Sequence, residues 1–131
     1  MGYLLDTHVL LWMLDNDSRL SVNAQTILAD ISINCFVSVI SLYEMAIKKK
    51  TGKLSLSRNI EDYAKELQRI EITLLPITTS HLDTYEKVPL LNDHRDPFDR
   101  LLIATALYEN LSIITADEKF ALYNNTVKIV W

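Results

Sequence analysis

Four carboxylates in this chain stand where they can act together: Asp6, Glu44, Asp99 and Asp117. Asp6 ends the apolar run Tyr3-Leu4-Leu5, and Asp117 follows the run Leu111-Ser112-Ile113-Ile114-Thr115. Short apolar runs of this kind have the form of buried parallel strands whose C-terminal ends open on a polar crevice. Glu44 falls in the first turn of a helix after a further strand-like run, and Asp99 in the first turn of a helix begun by Asp96-Pro97. Parallel sheets bind ligands beyond the carboxyl ends of their strands, so all four acids are expected on one rim. Crowded carboxylates raise one another's pKa values unless a cation is present, which makes a shared acidic crevice a metal site. Oxygen ligands with no neighbouring Cys or His pair favour Mg²⁺ or Mn²⁺ over zinc. A metal pair about 4 Å apart suits in-line attack of water on a phosphodiester.

Each acid also has a plain structural explanation. Asp6 is an ordinary helix cap, Ser41-x-x-Glu44 reads as a capping box, Asp99 complements a helix macrodipole, and Asp117 can cap the short helix after it as an Asx-turn. The bland account requires all four explanations to hold at once.

The elements that must position these residues alternate. Tyr3 to Thr7 reads as the first strand, and Thr7 can cap an apolar helix from His8 to Leu14. Asp15-Asn16-Asp17 makes a turn, Ser21 caps a second helix through Ala24, Ile27, Leu28 and Ile31, and Asn34 ends it. Cys35 to Val39 is the second strand, and Ser41 opens a helix closed by Gly52, with Lys48, Lys49 and Lys50 in its last turn. Helical spacing of Ile60, Ala64, Leu67 and Ile70 predicts a helix from about Asn59 to Ile70, followed by a strand at Thr73 to Pro76. Ser80 caps a short helix that stops before Pro89, and Leu90 to Arg95 is polar and irregular. The run Leu101 to Leu107 is apolar nearly all round, so the helix that Asp96 caps should be buried. A fourth strand at Leu111 to Thr115, a short helix from about Glu118 and a last strand at Val127 to Val130 complete the order. Strands alternating with helices give an α/β fold: one domain over residues 1–131, a mainly parallel sheet and helices on both faces.

Composition agrees with a compact domain. Of the 131 residues 49% are hydrophobic and only five are Gly or Pro, which excludes a disordered or collagen-like chain. The single cysteine, Cys35, lies in an apolar run and excludes an internal disulfide, as expected of a reducing compartment. No basic region followed by an apolar stretch opens the chain, and no apolar segment approaches the roughly 20 residues of a membrane helix, so a cytoplasmic protein without a membrane partner is expected. A net charge of −4 argues against a broad basic face for nucleic acid. It leaves a nucleic-acid enzyme open, because bound cations reverse the local field.

Together these segments resemble the PIN-domain ribonucleases of the VapC toxin type, nearly end to end. The resemblance is carried by Leu4-Leu5-Asp6-Thr7-His8, Ser41-Leu42-Tyr43-Glu44-Met45-Ala46, His94-Arg95-Asp96-Pro97-Phe98-Asp99-Arg100-Leu101-Leu102-Ile103-Ala104, and Thr115-Ala116-Asp117. It implies that Asp6, Glu44, Asp99 and Asp117 are the metal-binding set, with Thr7 and Thr115 supporting it through their hydroxyls. It further implies Mg²⁺- or Mn²⁺-dependent cleavage of RNA, a homodimer, and a cognate antitoxin that inhibits it. Asp96 either caps its helix or joins the metal set. His94, Arg95 and Arg100 either steady a phosphate or are solvated charges, and Lys48, Lys49, Lys50 and Lys53 either guide RNA or serve the helix end. His81 is expected to be exposed. A phosphoacceptor receiver domain would need an acidic pair before the acceptor, but Leu5 precedes Asp6. A catalytically silent partner-binding module of the same fold is the other alternative.

Overall fold

The computed structural model describes residues 2–91 and 96–131. Its elements run β1 (Gly2–Leu5), α1 (Thr7–Leu14), α2 (Val22–Ala29), β2 (Asn34–Ser38), α3 (Val39–Lys50), α4 (Ile60–Arg69), β3 (Thr73–Leu75), α5 (Thr79–Tyr85), α6 (Pro97–Glu109), β4 (Leu111–Ile114), a 3₁₀ helix (Glu118–Tyr123) and β5 (Ile129–Val130). The five strands form one sheet in the order β3-β2-β1-β4-β5, and every pairing is parallel. The chain builds outward from β1 to β3, then returns to the other side of β1 to lay down β4. The order therefore reverses between β1 and β4, where helices leave in opposite directions and a crevice opens beyond the strand ends.

Alternation along the strands divides the apolar residues between two layers. Leu5, Val37 and Ile114 enter the layer filled by Leu10 of α1, Met45 of α3 and Leu67 of α4. Leu4, Phe36 and Ile113 face the opposite layer, built from Ile103 of α6 with Phe120 and Tyr123 of the 3₁₀ helix. Helices thus cover both faces, as the parallel sheet requires. Gly2 sits at the crowded start of the central strand. A Cβ there would lie 2.7 Å from Leu111 Cδ2 and 2.9 Å from Phe36 Cε2.

Several helix starts differ from the sequence expectation. Asp6, not Thr7, caps α1: its Oδ1 accepts the Thr7 N–H at 2.6 Å, and Thr7 is the first helical residue. Ile31 lies outside α2 and is 97% exposed, and Asn34 begins β2. Ser38 caps α3, accepting the Ile40 N–H at 3.1 Å, so strand passes into helix with no loop. The capping box expected at Ser41 does not form; Ser41 is the third helical residue, fully buried, and Glu44 lies in the second turn. Thr78 caps α5 in place of Ser80, because His81 closes the box that Ser80 cannot: Nδ1 of His81 accepts the Thr78 N–H at 3.1 Å. His81 is consequently buried, at 1% exposure, with Nε2 3.4 Å from Glu109 Oε2.

Arg100 is neither a phosphate ligand nor a solvated charge. It is buried, donating from Nη1 to the Pro89 carbonyl, from Nη2 to the Val88 carbonyl at 3.0 Å and from Nε to the Tyr85 hydroxyl at 3.2 Å. It shares the inward stripe of α6 with Ile103 and Ala104, and it satisfies the carbonyls at the end of the α5 segment. Replacing Arg100 with Met leaves those acceptors unpaired and should lower stability by about 1–3 kcal/mol in urea denaturation. Unchanged stability would overturn this anchoring role.

Candidate functional site

The reversal between β1 and β4 sets Asp6 beside Thr115. Thr115 Oγ1 donates to Asp6 Oδ2 at 2.8 Å, and the same oxygen accepts the Asp117 N–H at 3.0 Å. Asp117 in turn caps the 3₁₀ helix, accepting the Lys119 N–H at 3.0 Å. On the neighbouring side, Thr7 Oγ1 donates to Glu44 Oε1 at 2.8 Å, while Lys48 Nζ lies 3.1 Å from Glu44 Oε2. A continuous set of bonds therefore leads from Asp117 through Thr115, Asp6 and Thr7 to Glu44. Both threonines meet the carboxylates through their hydroxyls, as the resemblance implies. Lys48 pairs with Glu44 from the next turn of α3.

Asp99 enters from α6. Asp96 caps that helix, its Oδ1 accepting the N–H groups of Phe98 at 2.8 Å and Asp99 at 3.3 Å. The next residues brace α6 against α3 through an edge-to-face contact of Phe98 with Tyr43. The Asp99 carboxyl is pushed up to about 8, first by burial and then by the negative charges of Asp96, Asp6, Glu44 and Asp117. Asp6 is also raised, chiefly by burial, against the opposing hydrogen bond from Thr115. All four sequence-predicted acids thus lie within one electrostatic neighbourhood, and Asp96 joins them while capping its helix. Among the described residues no group of three or more His, Cys, Asp or Glu side chains is already placed to hold a metal ion. The donor set is nonetheless all oxygen and mutually repelling, which is the chemistry a hard divalent cation matches.

Other candidates fall elsewhere. Arg100, beside Asp99 in sequence, points into the core. His94 and Arg95 lie outside the described residues. The crevice extends further than the acids alone: a cavity of about 320 Å³ is lined by Asp6 and Asp117 together with His8, Trp12 and Arg19. The sequence places His8 and Trp12 in an apolar helix and gives Arg19, between the turn and the second helix, no role. The i, i+4 spacing of His8 and Trp12, one turn past Asp6, is the signal that marks them.

A raised carboxyl links this site to stability. The folded chain holds the Asp99 proton from its ordinary value of 3.8 up to about 8, a window in which the unfolded chain has lost it. Stability of the metal-free protein should be fully present below that window and fall as pH rises through it. Melting in EDTA from about pH 5 to about pH 8 should show this decline, Asp99→Asn should flatten it, and Mn²⁺ at the upper pH should restore wild type more than the variant. A flat wild-type profile would mean that burial and the neighbouring acids do not raise Asp99.

The family model for the PIN domain matches residues 3–125. No curated protein matches the sequence. Among solved structures, the chain is similar to VapBC2 from Rickettsia felis bound to a DNA fragment from its promoter, with 18% identity, coverage of 99% of this chain and 98% of that one, and a TM-score of 0.69. It is also similar to VapBC-1 from nontypeable Haemophilus influenzae, at 21% identity, 99% and 97% coverage and a TM-score of 0.65. FitAcB from Neisseria gonorrhoeae is a third, at 18% identity, 98% and 96% coverage and a TM-score of 0.66. At these identities the structures share the fold, whereas the family model spans nearly every element that carries an acid of the crevice: this chain belongs to the PIN-domain family.

Proposed function

We propose that the chain is a metal-dependent endoribonuclease and the toxin of a toxin–antitoxin pair, with Asp6, Glu44, Asp99 and Asp117 as its metal-binding and catalytic acids. The observation that carries this reading is the convergence of Asp96, Asp6, Glu44 and Asp117 on Asp99 at the sheet's reversal point, where burial first and their negative charges second lift its carboxyl to about 8. Such an arrangement costs stability without a cation, and its hard oxygen donors suit Mg²⁺ or Mn²⁺. A cation held there would supply the positive charge that both an attacking water and a departing oxygen of a phosphodiester need. The chain's own part is orientation. Thr115 and the Thr7 N–H fix both oxygens of Asp6, Thr7 Oγ1 fixes Glu44, and cap bonds fix Asp96 and Asp117. Asp99 would have to be ionised to hold a cation, so metal affinity there should rise with pH.

RNA as the substrate and a homodimer are expectations of the VapC resemblance, and a cytoplasmic setting is an expectation from composition. The toxin–antitoxin complexes among the similar folds favour a cognate antitoxin for this chain as well. No helix among the described residues is long and apolar enough to cross a membrane.

Cleavage of total cellular RNA by the purified protein in Mn²⁺ tests the reading. Asp6→Asn and Asp99→Asn should abolish cleavage and keep the wild-type circular dichroism spectrum, and EDTA should abolish it in the wild type. Thr115→Val should lose about 10- to 100-fold in kcat/KM, the usual effect of removing a hydrogen bond that orients a metal ligand. Full activity in Asp99→Asn, or cleavage that survives chelation, refutes the assignment. A wild-type protein that binds its antitoxin and cuts no RNA would be the silent partner-binding module instead.

A further inference from the structure

The acidic cavity does not end at the acids. His8, Trp12 and Arg19 line it, and the same three side chains also line a second groove of about 520 Å³ that runs on to Leu54, Ser57 and Tyr63. They are therefore the wall common to both spaces. His8 and Trp12 stand one helical turn apart on α1, ring centroids 5.9 Å apart and planes tilted by 35°. The Arg19 guanidinium lies 5.0 Å from the centre of the Trp12 ring. Asp17 holds it there in a fork, Nη2 to Oδ2 at 2.7 Å and Nε to Oδ1 at 3.1 Å, although the Arg19 side chain remains 68% exposed. Among the described residues Arg19 is the only Lys or Arg lining the acidic cavity.

Resting on the ribonuclease reading, we propose that His8, Trp12 and Arg19 form a stacking subsite for a nucleobase of single-stranded RNA adjoining the scissile phosphate, with the groove beyond receiving the next nucleotides. A chain with a net charge of −4 has little capacity to hold RNA through a broad basic surface. Aromatic faces and an arginine plane hold bases without one, and they select unpaired bases because paired ones are already stacked. The position suits this task, since the wall touches the cavity of Asp6 and Asp117 on one side and opens to a groove on the other. The inner edge of Trp12 rests on the core and its ring also meets Trp131, centroids 5.9 Å apart, while the Asp17 fork keeps the exposed Arg19 over the ring at the cavity wall.

The test uses a short labelled single-stranded RNA of mixed sequence and an abasic chain of equal length. Binding is read by fluorescence anisotropy in Ca²⁺, and cleavage is read in Mn²⁺. Trp12→Leu should weaken binding of the base-bearing RNA by about 5- to 150-fold, the usual effect of losing one stacked base. Trp12→Phe should recover part of that loss, and the abasic chain should bind all forms alike. In cleavage the loss should appear in KM and not in kcat. Arg19→Ala, at an exposed position, should weaken RNA binding in the same direction with an unchanged melting temperature, which separates the subsite from a folding defect. Equal RNA affinity in wild type, Trp12→Leu and Arg19→Ala overturns the proposal. Unchanged RNA affinity with weakened antitoxin binding also overturns it and assigns the groove to that protein. A wild type that cuts no RNA refutes the ribonuclease reading alone, and the anisotropy measurements still decide the subsite.

Discussion

Thr115 Oγ1 reaches Asp6 Oδ2 across the junction of β1 and β4, and the rest of the site is arranged around that contact. A parallel sheet whose order reverses leaves a gap between helices departing on opposite faces, beyond the carboxyl ends of the strands. Here the gap is closed at its floor by a buried carboxylate with both oxygens satisfied, one by Thr115 and one by the Thr7 N–H. Thr115 passes the constraint to Asp117 through its own oxygen, and Thr7 passes it to Glu44. Three segments distant in sequence are thereby held in register by a handful of short polar contacts. The apolar layers supply the stability, and these contacts supply the positions.

The same arrangement sets an electrostatic conflict. Burial and neighbouring negative charge lift Asp99 far above the ordinary carboxyl range, so the crevice resists full ionisation near neutral pH. Lys48 relieves part of the conflict by pairing with Glu44. Local strain of this kind persists when the surrounding core is secure, and it concentrates where chemistry is done. The two layers of Leu, Ile and Val on either face of the sheet provide that security.

Buried polar groups outside the crevice serve the same end. Arg100 ties α6 to the carbonyls of Val88 and Pro89, immediately beside Asp99. His81 closes the cap of α5 and contacts Glu109 near the other end of α6. Helix α6 is thus fixed at both ends against α5 and braced by Phe98 against α3. A displaced α6 would carry Asp99 out of the field of the other acids, so these anchors bear directly on the crevice.

Much of this was legible in order and spacing. Strand-like runs ending on Asp6 and near Asp117, and the start Asp96-Pro97, were enough to set an α/β chain and to bring the four acids to one rim, because strand direction alone decides which end a following residue occupies. The sequence could not locate caps where two polar residues compete. Ser38 outcompetes Ser41 because the strand runs straight into the helix, and Thr78 outcompetes Ser80 because a histidine three residues on can return the bond. Nor could it foresee the burial of Arg100 and His81, whose partners lie on separate segments and exist only once α5 and α6 are packed. The groove shared by His8, Trp12 and Arg19 belongs to the same class: spacing puts His8 and Trp12 on one helix face, but only the folded chain brings the arginine over the indole and both beside the acids. Local pattern fixes which residues can face a site, whereas the charge each must bear there depends on neighbours that only the tertiary fold assembles.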